Sequence, residues 1–399
     1  MSSVEPIAVV GGGIGGLAAA LALGRAGNAV NLYEQADAFS EAGAGIGLGP
    51  NAMRVLQAWG LGPSLQEAGC APQRLIARHA DNGRIVGQLP MGQSFITAYG
   101  APYLTVHRAD LQHTLLGAVS QQTSATLLTH HHLSGLVNDT HGFELQFKDK
   151  SNTYPAHILI GADGLHSAVR TTVFDKTPPN ASGHWAYRAL LPMHEVPQSF
   201  RQMDIGIWMG TRLHVVHYPV RGGEFLNLVV LIESPNQASQ PGWDVLRSAA
   251  QITEDLKQAT HNTYAELQDL IHAVNGWRAW CLFDREPLEH PSQMVNGSVA
   301  LLGDAAHPML PYLAQGAGMA IEDAACFAMH WKNASLSAEQ RLLNYAQARW
   351  QRVSRVQQRA RRNGQLFHAD GLLRLARDTA MKLGGARWMD MPWLYGTSN

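Results

Sequence analysis

Six residues near the start, Gly11-Gly12-Gly13-Ile14-Gly15-Gly16, limit what this chain can fold into more than any other feature. A short β-type run, Ile7 to Val10, breaks into them, and an alanine- and leucine-rich helix, Leu17 to Ala26, follows. Gly11, Gly13 and Gly16 have the GxGxxG spacing: one glycine permits the tight turn, one lets the backbone approach a pyrophosphate, and one lets the helix pack on the strand. Gly27 closes the helix, and Ala29 to Tyr33 is a second strand ending in Glu34, about 18 residues beyond Gly16. An acidic side chain there accepts hydrogen bonds from an adenosine ribose; Gly15 and Gln35 are assigned to the same site. The unit predicts a parallel sheet that binds a dinucleotide at its C-terminal edge.

The rest of the chain interrupts and resumes this pattern. From Ala71 to Ala101 turn signals at Asp81-Asn82-Gly83 suggest strands of a different sheet, and helical periodicity returns over Arg108 to Val119. A third strand, His157 to Ile160, runs into Gly161-Ala162-Asp163-Gly164. Then His184 to Leu191, Gln202 to Met209, Leu213 to Pro219 and Phe225 to Ile232 read as consecutive strands of an antiparallel sheet over the substrate. The nucleotide-domain pattern resumes at Ser298 to Leu302, Gly303-Asp304 and the helix Gly318 to Trp331, and Ala338 to Leu383 is helical. The expected fold is α/β: a discontinuous Rossmann-type domain (1–70, 102–180 and 284–335), a substrate-binding sheet domain (71–101 and 181–283), and a C-terminal helical region and tail (336–399).

A formal net charge of −1 gives no field that would draw the chain to nucleic acid or an anionic membrane. Cys70, Cys281 and Cys326 are scattered and odd in number, so neither a disulfide framework nor a metal site is expected, and a cytoplasmic setting fits. The apolar stretch Ile7 to Leu23 is interrupted by glycines and is not read as a signal peptide, and no run is long enough for a membrane span. His130-His131-His132 is read as strand edge or loop rather than a metal tract. The arginines Arg349, Arg352, Arg355, Arg359, Arg361 and Arg362 are read as a solvated or interface helix face.

Two further motifs carry a resemblance. Gly161-Ala162-Asp163-Gly164-Leu165-His166-Ser167-Ala168-Val169-Arg170 resembles the DG motif of flavoprotein aromatic hydroxylases, and Gly303-Asp304-Ala305-Ala306-His307-Pro308 resembles their GD motif. With the glycine turn, these place the chain beside the group A flavin monooxygenases over nearly its whole length, with a p-hydroxybenzoate hydroxylase-like fold. The resemblance implies FAD as cofactor, with Asp304 on its ribityl chain, Arg108 in contact with it, and the loop Ala42-Gly43-Ala44-Gly45-Ile46 beside its ring. Gly303, Gly316 and Ala317 join that set, because a helix opening at Gly316 can stabilise the anionic edge of a reduced flavin. It also implies that NADH or NADPH, docking transiently, reduces the flavin, and that a C4a-hydroperoxide formed with O2 then hydroxylates the substrate.

In Leu213-His214-Val215-Val216-His217-Tyr218-Pro219 strand alternation sends His214, Val216 and Tyr218 to one face and His217 to the other. This segment resembles 3-hydroxybenzoate 6-hydroxylases and, more distantly, salicylate and 6-hydroxynicotinate hydroxylases. The resemblance makes His214 the candidate base, with Tyr218 and Pro308 also catalytic and Pro311 and Tyr312 substrate contacts; His217 is read as structural. Close 3-hydroxybenzoate 6-hydroxylases carry glutamine where this chain has Pro311, so regiochemistry stays open. The expected activity is FAD- and NAD(P)H-dependent hydroxylation of a small phenolic aromatic acid in aromatic-compound catabolism. The alternatives are a larger quinone-precursor or polyketide substrate, or a non-catalytic flavin-binding sensor. The tail Met391-Pro392-Trp393-Leu394-Tyr395-Gly396 is read as covering a partner in a homodimer.

Overall fold

The computed structural model describes residues 5–39, 44–122, 124–139, 142–234 and 247–396. The strand Ile7–Val10 lies inside a six-stranded sheet, paired in parallel with Val30–Tyr33 on one side and Leu159–Gly161 on the other. Leu159–Gly161 pairs in parallel with Val299–Leu301, and Val30–Tyr33 with Ala125–Leu128. Chain segments far apart in sequence thus converge on one edge. The helix Ile14–Arg25 packs against this sheet and against the helix Gly316–Trp331. It is apolar almost all round because it is covered almost all round. Each fully buried leucine on it, such as Leu17 and Leu21, contributes roughly 1.5–3 kcal/mol relative to exposure.

The second sheet has seven strands, in the order Arg278–Asp284, Asn180–Pro192, Phe225–Glu233, Leu213–Val220, Asp204–Gly210, Arg74–His79, Ile85–Pro90. It is antiparallel except where Asp204–Gly210 runs parallel to Arg74–His79. That strand arrives from a distant segment rather than through a hairpin, so nothing forces the antiparallel sense. Alternation sorts the two faces. Trp185, Tyr187, Ala189, Leu213, Val215, Leu228 and Val230 form a core with the helices Ala249–Thr260 and Ala265–His272, and the opposite face looks toward the nucleotide-type sheet.

Two small sheets, Gly45–Leu48 with Leu104–His107 and a three-stranded meander over Leu133–Asp139, Gly142–Phe147 and Thr153–Ala156, fill the gaps. The meander and the short helix Gln93–Tyr99 went unread in the sequence. Helix Ala338–Phe367 runs about 45 Å across the back of helix Gly316–Trp331. The tail folds onto its own chain: Tyr395 meets Phe95, Tyr99 and Tyr103 edge-on, and Arg54 donates to the Tyr395 carbonyl at 2.6 Å. Tyr395 is buried there, while Trp393 is half-buried beneath the Arg355 guanidinium.

Candidate active site

The glycine turn is sterically obligatory. Gly11 has φ +107°, and a Cβ there would come within 2.4 Å of the Ala162 carbonyl oxygen; a Cβ on Gly16 would come within 1.8 Å of the Gly11 oxygen. The backbone of the first motif is thus pressed against that of the second, and the helix beginning at Ile14 presents its unpaired N–H groups beside Gly13. Glu34 lies at the end of its strand, accepting the Gly12 N–H at 2.6 Å and the Ala36 N–H at 2.8 Å. Gln35 is exposed next to it.

The second motif organises itself and then grips the third. The Asp163 carboxylate accepts Ser167 Oγ–H at 2.5 Å and the Val169 N–H at 3.1 Å, while Ser167 Oγ accepts the Arg170 N–H and caps the helix Ala168–Val173. Buried Arg170 donates Nη1 to the carbonyls of Ala305 and Ala306, both at 3.0 Å. The Asp163 carboxylate is thus linked through Ser167 to the backbone of Arg170.

Asp304 stands in the turn Gly303–Ala305 with its side chain open to solvent. Its carboxyl pKa is nevertheless raised by surrounding protein, against the opposing pull of His307 and Arg108. A group both wet and enclosed lies on the floor of a cleft. A Cβ on Gly316 would sit 3.9 Å from Asp304 Oδ1, so Asp304 adjoins the N-terminus of helix Gly316–Trp331, where Gly316 and Ala317 are half-exposed. Gly45, in the strand beside the Arg108 helix, passes so close to the seven-stranded sheet that a Cβ would meet Tyr218 at 2.6 Å and Asn227 at 2.7 Å; its N–H donates to Asn227 Oδ1 at 2.6 Å. Ala42 and Gly43 of that loop lie outside the described residues.

Beneath the Gly303 turn is an ion network that the sequence reading missed. Fully buried Asp323 accepts the Gly303 N–H at 3.0 Å, contacts His307 Nε2 at 2.6 Å and pairs with Arg349 at 2.7 Å. Arg349 and Arg352 both bind Glu322, whose carboxyl is pulled down to about 2 by those arginines against the opposing cost of burial. Arg349 is no surface arginine. The signal was present: Leu342, Tyr345, Arg349, Val353 and Val356 share one helical face, and all are buried.

On the sheet, His214 and Tyr218 share the site-facing side as expected, and His217 packs on Phe200 at 5.1 Å on the other. His214 is buried, with Nδ1 2.9 Å from Nε2 of His368, at the end of the long helix. His184 Nδ1 and the Tyr312 hydroxyl are hydrogen-bonded, and the Tyr312 ring lies 5.0 Å from that of His214. Burial, then the neighbouring imidazoles His368 and His184, holds the His214 pKa well below its usual value; burial pushes His368 to about 3. Burial raises Tyr218 and Tyr312, so both are neutral hydroxyls. Pro308 is buried, its carbonyl accepting Gln357 Nε2–H at 3.1 Å, whereas Pro311 is exposed at the start of the turn carrying Tyr312. Neither His184 nor His368 was singled out in the sequence.

His184, Glu233 and His368 offer ligand atoms within 4.8 Å of one another, but the two imidazole planes lie 12° apart and stacked. Their in-plane lone pairs do not converge on one point, so the group is better suited to passing protons than to holding a cation.

A family model described as an FAD binding domain matches residues 5–360. The chain is 36% identical over 393 residues, 98% of its length and 96% of the relative's, to 3-hydroxybenzoate 6-hydroxylase of Polaromonas naphthalenivorans. Among solved structures it superposes on a Klebsiella pneumoniae HpxO variant complexed with FAD (TM-score 0.86, 25% identity, 98% of each chain). It also superposes on a salicylate hydroxylase substrate complex (TM-score 0.81, 25% identity, 99% of this chain and 96% of that one).

Proposed function

This chain belongs to the FAD binding domain family, and from that premise we propose that it is a monooxygenase hydroxylating a small phenolic aromatic acid of the 3-hydroxybenzoate or salicylate kind. The residues present suit FAD: glycines whose missing side chains leave the backbone open, two helix N-termini, Glu34 at a strand end, and Asp304 on a cleft floor beside one of those N-termini. When bound, FAD supplies electrons from NADH or NADPH and reacts with O2. Gly11, Gly13, Gly15, Gly16, Glu34 and Gln35 would hold its adenosine and pyrophosphate. Gly45, Arg108, Gly303, Asp304, Gly316 and Ala317 would hold the flavin end, and Asp163 would act through Arg170.

The observation that carries the substrate reading is the His214–His368 contact on the site face. A phenol gives electron density to its ring when its proton is withdrawn. His214 is kept neutral by its surroundings, so it accepts a hydrogen bond from the phenol. The proton has an onward path through His368, whose Nδ1 is 3.9 Å from the half-exposed Glu233 carboxylate, a gap one water spans. Tyr218, held protonated, donates to the substrate, and Tyr312 fixes His184 at the rim.

The test is substrate-stimulated NADH or NADPH oxidation, with incorporation of isotope-labelled O2, across a panel of hydroxybenzoates. Stimulation and labelled product with at least one are expected; none with any would overturn the reading. No described helix is long and apolar enough to cross a membrane. A cytoplasmic site and a homodimer are proposed with the function, the latter through the exposed Leu372, Leu375 and Leu383 of helix Gly371–Gly384. A monomeric mass in light scattering would count against it.

A further inference from the structure

One cation on the site face, Arg188, has no counter-charge among the described residues. In the strand Asn180–Pro192, Trp185, Tyr187 and Ala189 turn into the core beneath the sheet, which leaves Ala186, Arg188 and Leu190 on the face that carries His214 and Tyr218. The register defines where Arg188 stands. It lies opposite Val229, which lies opposite Val216, so its row falls midway between that of His214 and that of Tyr218. Two strand spacings separate it from Val216, roughly 10 Å between backbones, a distance that an arginine and a tyrosine reaching inward cover between them.

The side chain is half-buried, and Nε is buried without a hydrogen-bond partner. Among the described residues no carboxylate pairs with it; its neighbours are the face of Trp280, 5.3 Å from the guanidinium carbon, the Tyr218 hydroxyl and the like charge of Arg108. Three other buried or half-buried arginines of this molecule are treated differently. Arg170 has Asp175 and two carbonyls, Arg349 has Asp323 and Glu322, and Arg361 has Asp284 and Glu286. Leaving an arginine half-buried without an anion is costly unless the anion arrives with a ligand.

We propose that Arg188 is the anion anchor of the active site: its guanidinium, braced on Trp280 and assisted by the Tyr218 hydroxyl, binds the carboxylate of the aromatic acid. A guanidinium presents two parallel N–H donors that match a carboxylate, and anchoring that end directs the other end of the ring along the sheet toward His214. The assignment rests on the aromatic-acid reading above and adds the residue that makes the acid group a requirement.

The test is equilibrium binding to the FAD-loaded enzyme, read from perturbation of the flavin absorbance and therefore independent of turnover. The probes are 3-hydroxybenzoate, unreactive benzoate, and the neutral 3-hydroxybenzamide. The wild type is expected to prefer the acids over the amide. Arg188→Met is expected to weaken the acids by roughly 10- to 100-fold and the amide by less than about threefold, with FAD content unchanged; Arg188→Lys should restore part of the difference. Equal weakening of acid and amide, or loss of FAD, would assign Arg188 to structure or to the cofactor and overturn the anchor. Should Arg188→Met not fold, the Arg188→Lys acid-to-amide ratio decides, an unchanged ratio overturning the proposal. If acids bind through Arg188 but none is turned over, the hydroxylase reading falls while the anchor stands.

Discussion

The cofactor side of the cleft and the substrate side are built in opposite ways. On the cofactor side short motifs interlock through backbone atoms: Gly16 against Gly11, Gly11 against Ala162, Arg170 on the carbonyls of Ala305 and Ala306, and the Gly303 turn on Asp323. Nearly every polar partner there is fixed, and the ion network beneath is closed. On the substrate side single side chains meet from separated segments, His184, His214, Tyr312 and His368, and these histidines and the tyrosine are held neutral rather than paired with opposite charges. The first arrangement suits a permanent guest, the second a guest that must come and go, bringing protons and charge with it.

The strongest way to break this contrast is Asp323→Leu. It leaves His307 buried without its partner, strips Arg349 of one of its two carboxylates and frees the Gly303 N–H, and removing one member of a buried pair costs about 3–5 kcal/mol. Thermal unfolding should fall by roughly 4–6 °C, with loss of bound FAD. Retention of FAD alongside selective loss of substrate binding would mean that the two sides are not separate systems.

His214→Asn addresses the other side. It should lower substrate hydroxylation by roughly 10²- to 10³-fold while FAD content and thermal stability stay near wild type. Unchanged hydroxylation would remove His214 as the proton acceptor. A loss of FAD would place it in the cradle instead.

Acid should separate the neutral buried histidines of the seven-stranded sheet and its neighbour His368 from the paired carboxylate beneath the cofactor side by pH window. His217 and His368 titrate near 3 in the folded protein and near 6.5 when unfolded. Their folded pKa values are depressed, so below pH 6.5 the unfolded chain takes up protons that the folded chain refuses, and stability falls steadily toward pH 3. At pH 5 each contributes a loss of about 2 kcal/mol. Glu322, near 2 when folded against about 4.3 unfolded, contributes stability that is present above pH 4.3 and is lost only as pH falls through 2. Denaturant midpoints measured from pH 7 to 4 should decline in the wild type and decline less steeply in His217→Gln. An equal slope in both would show that buried histidine is not the cause.

Legibility in the sequence follows the same division. The cradle was readable because its geometry is local: a glycine turn, an acidic strand end and two short motifs each lie within a few residues. The faces of the site strand were readable because alternation has period two, which put His214 with Tyr218 and His217 opposite. What was not readable is encounter over distance. Nothing near His214 announces His368, about 150 residues later, and nothing in Asn180–Pro192 reveals that Arg188 lacks a partner. Arg349 is an intermediate case: the helical period sets it on the face of Leu342, Tyr345, Val353 and Val356, a signal masked by the run of arginines around it.

The smallest expected effect probes the joint between motifs. Ser167 does two things at once: its hydroxyl donates to Asp163 and accepts the Arg170 N–H as a helix cap. Ser167→Ala removes both, and loss of a cap of this kind costs about 1 kcal/mol, a fall of roughly 1 °C in thermal unfolding for a chain of this size. Because Arg170 leads from this turn to Ala305 and Ala306, beside Asp304, the variant should also bind FAD a few-fold more weakly, measured by flavin fluorescence after gel filtration. Ser167→Thr should restore both, since the hydroxyl is kept. A stability loss without any change in FAD affinity would mean that the second motif supports only its own helix, and that the cradle is less tightly interlocked than its hydrogen bonds suggest.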